Sequence, residues 1–213
     1  MKIALIGATG FVGQAILEEG LARGHQVTAL VRHPEKLAPR PGLVAKKADA
    51  LDEAALAKEL TGHDVVVSAY NPGWAEPKIR ELSLKGTRSI INGVKRAGIK
   101  RLVVVGGAGS LEVAPGLQLI DTPEFPKEWQ AGALGMRDAL VALREEHDLA
   151  WSFLSPAAVL KPGERTGTYR LGSDQLLRDA EGESQITTAD LAVALLDEVE
   201  TPKHVQRRFT VAY

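Results

Sequence analysis

Apolar runs of five or six residues alternate along this chain with longer stretches whose apolar positions repeat at helical spacing. Lys2–Ile6 and Gln26–Val31 are two such runs. Between them, Gln14–Arg23 places Ala15, Ile16, Leu17 and Leu21 on a helix that Gly24 ends. The alternation continues with a strand over 43–48, a helix over 51–60 with Asp52 near its start, and a strand over 64–69. A long helix from about Glu76 to Ala97 and a strand over 100–105 follow. The Asp64-Val65-Val66-Val67-Ser68-Ala69 stretch is continuous and β-branched, the pattern of a parallel strand buried on both faces. The second half is less regular. Residues 111–126 contain Pro115, Gly116, Pro123 and Pro126 and read as a long loop. A helix over 128–147 and a strand over 150–154 come next. Residues 161–167 read as turn-rich, and 168–171, 175–178 and 184–186 as short extended pieces. Thr188–Val199 is a helix capped by Thr187 or Thr188, and 207–211 is a last strand.

Strand–helix alternation of this kind predicts an α/β fold, a Rossmann-type doubly wound parallel sheet with helices on both faces. The expectation is a single domain over 1–213, with a small substrate-side region from about 111–127 and 156–187. Right-handed crossovers put the carboxyl ends of the strands along one edge, where ligands bind in open sheets. Gly7 to Gly13, Arg32, Asp49-Ala50, Ser68-Ala69-Tyr70-Asn71 and Gly106 to Ser110 all fall on that edge, as does Ser155-Pro156 after the sixth strand.

The first of these segments, Gly7-Ala8-Thr9-Gly10-Phe11-Val12-Gly13, lies between a strand and a helix, where a dinucleotide-binding turn belongs. Gly7 suits the tight turn, Gly10 lets the backbone approach a pyrophosphate, and Gly13 lets the helix pack close on the strand. Free N–H groups at the helix start favour bound phosphate. The end of the second strand indicates which cofactor. NAD-selective chains place Asp or Glu there, to bond the ribose 2′-hydroxyl. This chain has Val31-Arg32-His33-Pro34 instead. Arg32 matches a 2′-phosphate, and Thr9 offers a further hydroxyl, so NADP(H) is expected over NAD(H).

Charge narrows the partners: 26 basic against 27 acidic residues leave −1, with no polybasic block, so neither nucleic acid nor an anionic membrane is an expected partner. There is no cysteine, so disulfides, thiol nucleophiles and thiolate metal sites are excluded. The five histidines are scattered, and no metal site is expected. No apolar run reaches transmembrane length, and the first residues read as a strand rather than a leader. A cytoplasmic protein is the expectation.

The chain resembles atypical members of the short-chain dehydrogenase/reductase superfamily. The similar group is the NAD(P)H-binding one that includes the NmrA-like regulators and biliverdin reductase B, and within it the NADH-flavin reductase-like proteins. The resemblance covers essentially the whole chain. It rests on the glycine turn, Val31-Arg32-His33-Pro34-Glu35-Lys36-Leu37, Gly62 to Ala69, Gly107-Ala108-Gly109-Ser110-Leu111, Trp151 to Pro156 and Pro162-Gly163-Glu164-Arg165-Thr166-Gly167. It implies a nicotinamide site and a reductase activity. The chain departs from the superfamily in one respect. The Tyr-x-x-x-Lys pair that serves as general acid and base is missing: after Ser110 the next tyrosine is Tyr169, with Ser173 four residues on. Alcohol–carbonyl, epimerase and dehydratase chemistry by the usual triad is therefore not expected.

Flavin reduction survives that loss, because the cofactors carry the hydride chemistry. The expected activity is NADPH-dependent hydride transfer to a flavin or similar conjugated small molecule, with FMN or FAD as candidate substrates. Ser110 and Tyr70 are the catalytic candidates. Gly7, Thr9, Gly10, Phe11, Val12, Gly13, Arg32, Asp49, Ala50, Ser68, Ala69, Tyr70, Asn71, Gly107, Ser155 and Pro156 are the cofactor-binding candidates. Asn71, Trp74, Trp129, Arg165 and Tyr169 are further groups to place near the nicotinamide, the last two more structural than catalytic. The alternative is a non-catalytic NADP(H)-binding redox sensor of the NmrA-like type.

Overall fold

Short aliphatic strands with no polar face must be covered on both sides, and that requirement sets the architecture of residues 1–213, all described by the computed structural model. The chain runs β1 (Lys2–Ile6), α1 (Phe11–Ala22), β2 (Gln26–Val31), β3 (Leu43–Lys47), α2 (Glu53–Leu60), β4 (Val65–Ser68), α3 (Ile79–Arg96) and β5 (Arg101–Val105). It continues through β6 (Glu112–Ala114), β7 (Leu117–Gln118), α4 (Lys127–Arg144), β8 (Ala150–Ser155), β9 (Val159–Lys161), β10 (Arg170–Gly172), β11 (Gln185–Thr187), α5 (Thr188–Glu200) and β12 (Arg207–Ala212).

Eight strands form one sheet in the order β10-β12-β8-β5-β4-β1-β2-β3. All neighbours are parallel except β10, which closes the edge antiparallel to β12. The chain moves outward from β1 to β2 and β3, then returns to β4 on the other side of β1. That reversal opens a crevice at the carboxyl ends of β1 and β4. Successive residues of β1 serve opposite layers: Ile3 and Leu5 join the core under α1 and α5, while Ala4 and Ile6 join the core under α2, α3 and α4. This is a Rossmann-type α/β fold with one continuous central sheet.

Several boundaries differ from expectation. Helix α1 begins at Phe11, not Gln14, because Gly10 takes extended angles as its N-cap and the Gln14 N–H already bonds the Gly10 carbonyl. Helix α4 ends at Arg144, short of His147, and the Glu146 carbonyl beyond it accepts from Trp151 Nε1. The stretch expected as a loop, 111–126, contains the β6–β7 hairpin and a 3₁₀ turn over Leu119–Asp121. Residues 175–178 form no strand; Gln175 makes only an isolated bridge to Glu112. Val159–Lys161, whose last residue opens the stretch expected to be turn-rich, is a strand paired with Gln185–Thr187. These pieces are two or three residues long, so long-range pairing rather than local propensity decides them.

Candidate functional site

The crevice starts at the turn between β1 and α1. Gly7 sits at φ +84°, and an added Cβ would stand 2.6 Å from the Ala69 carbonyl oxygen on the neighbouring strand end. Only glycine fits that approach. A Cβ on Gly13 would lie 2.8 Å from the Gly7 carbonyl carbon and 3.0 Å from Ala8 Cα, so α1 rests directly on the turn. The N–H groups of Phe11, Val12 and Gly13 have no residue four positions back in the helix to bond, and they open toward the crevice with the positive end of the dipole. Phe11 is 56% exposed at this mouth. Backbone donors, dipole and close glycine approach fit a pyrophosphate.

The ends of β2, β3 and β4 converge beside it. Arg32 is exposed just past β2, and its neighbour His33 holds Glu35, so no carboxylate occupies the guanidinium. Asp49 turns its carboxylate onto the Leu51 N–H, and Ala50 is buried beneath. Ser68 is buried at the end of β4, and its hydroxyl accepts from the Tyr70 N–H at 3.4 Å. Asn71 caps the following turn by accepting from the Gly73 N–H at 2.7 Å. The Tyr70 phenol is pushed up to about 12, first by burial and then by the nearby Asp49 carboxylate, with Arg32 pulling the other way. It therefore stays protonated at neutral pH, donating to the Leu82 carbonyl at 3.3 Å, and its ring packs over Gly86.

Ser110 is placed differently from the rest. Five residues past β5, it is 4% exposed. Its hydroxyl accepts from Arg208 Nη1 at 3.0 Å and its carbonyl accepts from the same nitrogen at 2.8 Å. Arg208, on β12, also binds Asp174 through Nε and Nη2. The serine thus ties the segment after β5 to β12. Arg208 and Asp174 were not anticipated, because nothing local marks an arginine of a terminal strand as the buried partner of a loop 98 residues away.

Gly107 stays at the edge, half-buried beyond β5. Ser155 and Pro156 are buried at the end of β8, and the Ser155 hydroxyl has no hydrogen-bond partner. Arg165 leaves the crevice: its guanidinium grips Glu19 of α1 at 2.7 and 2.8 Å. That bond, with one from Arg23, holds the buried Glu19 carboxyl below its usual range against the opposing effect of burial. Tyr169 also points away, its hydroxyl donating to Asp197 of α5. Both residues brace the 156–187 segment on the α1–α5 layer. So does Asp190, which accepts from the N–H groups of Thr166 and Gly167.

Trp74 and Trp129 meet at the crevice mouth. Their ring centroids are 4.6 Å apart at 82°, an edge-to-face pair. Helix α4 carries neither tyrosine nor the Tyr-x-x-x-Lys pair, and the residues facing α3 include Gly132 and Gly135.

No helix is long and apolar enough to cross a membrane. The fold is shared with known proteins. The chain is 42% identical to the uncharacterised protein YwnB of Bacillus subtilis, over 99% of this chain and 98% of that one. A solved structure from Bacteroides thetaiotaomicron, provisionally described as an epimerase, is 46% identical and superposes with a TM-score of 0.93 over 100% of this chain and 96% of the other. A Streptococcus pneumoniae structure, provisionally described as an NADH-flavin reductase, is 36% identical with a TM-score of 0.88, over 100% and 99% of the two chains. A family model described as NAD(P)H-binding matches residues 7–202, which include the glycine turn and all the strand ends of the crevice, and the chain belongs to that NAD(P)H-binding family.

Proposed function

We propose that this protein is an NADPH-dependent reductase that passes hydride to a flavin or a similar conjugated small molecule. The observation that carries the reading is a crevice built for a dinucleotide but without a side-chain proton relay. The glycine turn and the free N–H groups of α1 fit a pyrophosphate. Arg32, exposed and without a carboxylate partner, fits a 2′-phosphate. The Ser110 hydroxyl is bonded to Arg208, Tyr70 is bonded to a backbone carbonyl, and α4 offers no tyrosine–lysine pair. The flavin-reductase description of the Streptococcus pneumoniae relative agrees with this chemistry.

When bound, the nicotinamide would supply a hydride, two electrons and a proton, to the flavin. The flavin takes its second proton from water, so NADPH, flavin and one proton become NADP⁺ and dihydroflavin. The chain's part is to orient. Gly10 would admit the pyrophosphate, with Gly7 making the turn and Gly13 seating α1 on it, and Thr9, Phe11 and Val12 would frame it. Arg32 and Asp49-Ala50 surround the adenosine end. Ser68 to Asn71, Gly107 and Ser155-Pro156 line the nicotinamide end. Residues 111–127 and 156–187 flank the acceptor side. Tyr70, protonated at neutral pH, is a hydrogen-bond donor rather than a base.

The test is consumption of NADPH and of NADH with FMN, FAD, riboflavin and a quinone, each against a control without acceptor. Acceptor-dependent oxidation that favours NADPH is expected. Tight NADPH binding with no turnover on any acceptor would overturn the reading and favour the redox sensor.

A further inference from the structure

Two of the chain's three tryptophans stand at the open end of the crevice, 56% and 45% exposed. Trp74 comes from the connection between β4 and α3, and Trp129 from the first turn of α4. Helix α4 runs opposite to the parallel strands, so its first turn lies at their carboxyl edge, the edge that carries the glycine turn. The two indoles touch edge to face, an arrangement favoured by the ring quadrupoles. In such a pair the edge of one ring lies on the face of the other, and here both indoles keep about half of their surface exposed. By contrast, Trp151, on β8, is 2% exposed and belongs to the core.

The seat is specific. A Cβ at Gly132, one turn along α4 from Trp129, would meet Trp74 Cη2 at 3.1 Å and Ile79 Cδ1 at 3.2 Å, and would come closer still to Trp74 Cζ3. One turn further, a Cβ at Gly135 would lie 2.9 Å from Ser83 Cβ. Helix α4 therefore has a smooth face against α3, and the Trp74 ring lies in it over Gly132. On the other side of Trp74, Asn71 fixes the turn through the Gly73 N–H. An exposed indole pair held from both sides is a rigid apolar wall.

We propose that Trp74 and Trp129 form the acceptor subsite, an aromatic corner in which one indole offers its face and the other its edge to a planar aromatic ring such as the isoalloxazine of riboflavin. The proposal rests on the reductase reading for its choice of occupant. The sequence neighbours of the two indoles are mixed in sign, Glu76 and Lys78 on one side and Lys127 and Glu128 on the other. The wall accordingly recognises the ring and not a phosphate, and riboflavin and FMN bind alike. Both indoles hold the acceptor and take no part in the hydride or proton transfer.

The experiment titrates riboflavin and FMN into the protein saturated with NADP⁺ and reads quenching of flavin fluorescence. It compares wild type with Trp74→Ala, Trp129→Ala and Gly132→Ala. Gly132→Ala keeps both indoles and displaces one, so it remains informative if a tryptophan variant folds poorly. Each tryptophan variant should raise the riboflavin Kd about tenfold or more, the loss typical of a removed stacking partner, with a smaller rise for Gly132→Ala. NADPH affinity should be unchanged, and the loss in turnover should fall on the acceptor's KM rather than on kcat. Unchanged flavin affinity in all three variants overturns the proposal, as does the absence of flavin binding to wild type. A changed oligomeric state by light scattering, with flavin affinity intact, overturns it in favour of self-association. If the tryptophan variants lose flavin binding but no variant, nor wild type, oxidises NADPH, the subsite stands and the reductase reading falls. Turnover that is indifferent to both indoles has the opposite meaning.

Discussion

Replacing Gly13 by alanine separates helix packing from ligand approach within one glycine turn. The new Cβ would stand 2.8 Å from the Gly7 carbonyl carbon, 3.0 Å from Ala8 Cα, and nearer still to the Gly7 oxygen. All three are backbone atoms, so no rotamer relieves the overlap and the turn itself must shift. Overpacking of this kind costs about 1–3 kcal/mol. The better helix propensity of alanine offsets at most about 1 kcal/mol. A net loss of about 1–2 kcal/mol lowers the melting temperature of a chain this size by about 2–8 °C. Gly10→Ala is the comparison. Its φ of −80° suits any residue, and its tightest new contact is 3.2 Å to the Gly7 oxygen. That variant should melt within about 2 °C of wild type. Its NADPH affinity should nevertheless fall about tenfold or more, because the methyl group stands where phosphate meets the backbone. Gly20→Ala, with only an ordinary 3.4 Å contact to Val27 Cγ2, controls for a helical glycine and should not destabilise. Scanning fluorimetry and calorimetric titration with NADPH read the two effects. If Gly13→Ala melts with wild type, or Gly10→Ala falls as far as Gly13→Ala, the division of roles between the two glycines is wrong.

Arg32→Ala should weaken NADPH binding by about 1.5–3 kcal/mol and leave NADH binding and stability unchanged, since no intramolecular partner is lost. Equal losses for both cofactors would show that Arg32 does not read the 2′-phosphate. Ser110→Ala removes one of the two acceptors that Ser110 offers Arg208, so it should cost about 1 kcal/mol of stability and at most about tenfold in turnover. A thousandfold loss of turnover, with NADPH affinity intact, would instead make Ser110 a proton donor and the acceptor a carbonyl. Acid should unfold the protein partly through Glu198, buried in the last turn of α5. Burial raises its pKa, but the N–H groups of Lys203 and His204 and the His204 ring outweigh that and hold the carboxyl below its ordinary 4.5. A depressed carboxyl contributes stability that is complete above the ordinary value and lost as pH falls through the lowered one. Melting temperatures recorded between about pH 6 and pH 3 should therefore drop less steeply for Glu198→Gln than for wild type. Parallel curves would remove Glu198 from the account.

Much of this protein is legible in its sequence because the relevant constraints are local. The run from Val65 to Ser68 could only be a strand covered on both faces, and all four residues are buried. Gly7 and Gly13 are set by backbone geometry within seven residues, and Gly7 does adopt a positive φ while Gly13, in the first turn of α1, does lie against the turn. Once such strands alternate with helices, a parallel sheet follows. So does the gathering of Gly7, Arg32, Asp49 and Tyr70 at one edge, because that gathering is a consequence of topology. The missing tyrosine–lysine pair was equally plain, since a helix either contains those residues or does not.

What tertiary structure alone decided are relations between residues far apart in the chain. The Ser110 position in sequence suggested a hydroxyl at the crevice, but its burial depends on Arg208 reaching it from the last strand. Arg165 lies in a motif of the similar proteins, yet its bonds go to Glu19, 146 residues earlier. Trp74 and Trp129 were separate aromatic residues until α3 and α4 packed together. The Gly-x-x-Gly of Gly132 and Gly135 was the one local hint of that close approach. Backbone angles and strand burial follow from a few neighbouring side chains, whereas the partner of a polar or aromatic group is chosen by whichever distant segment the fold brings within reach.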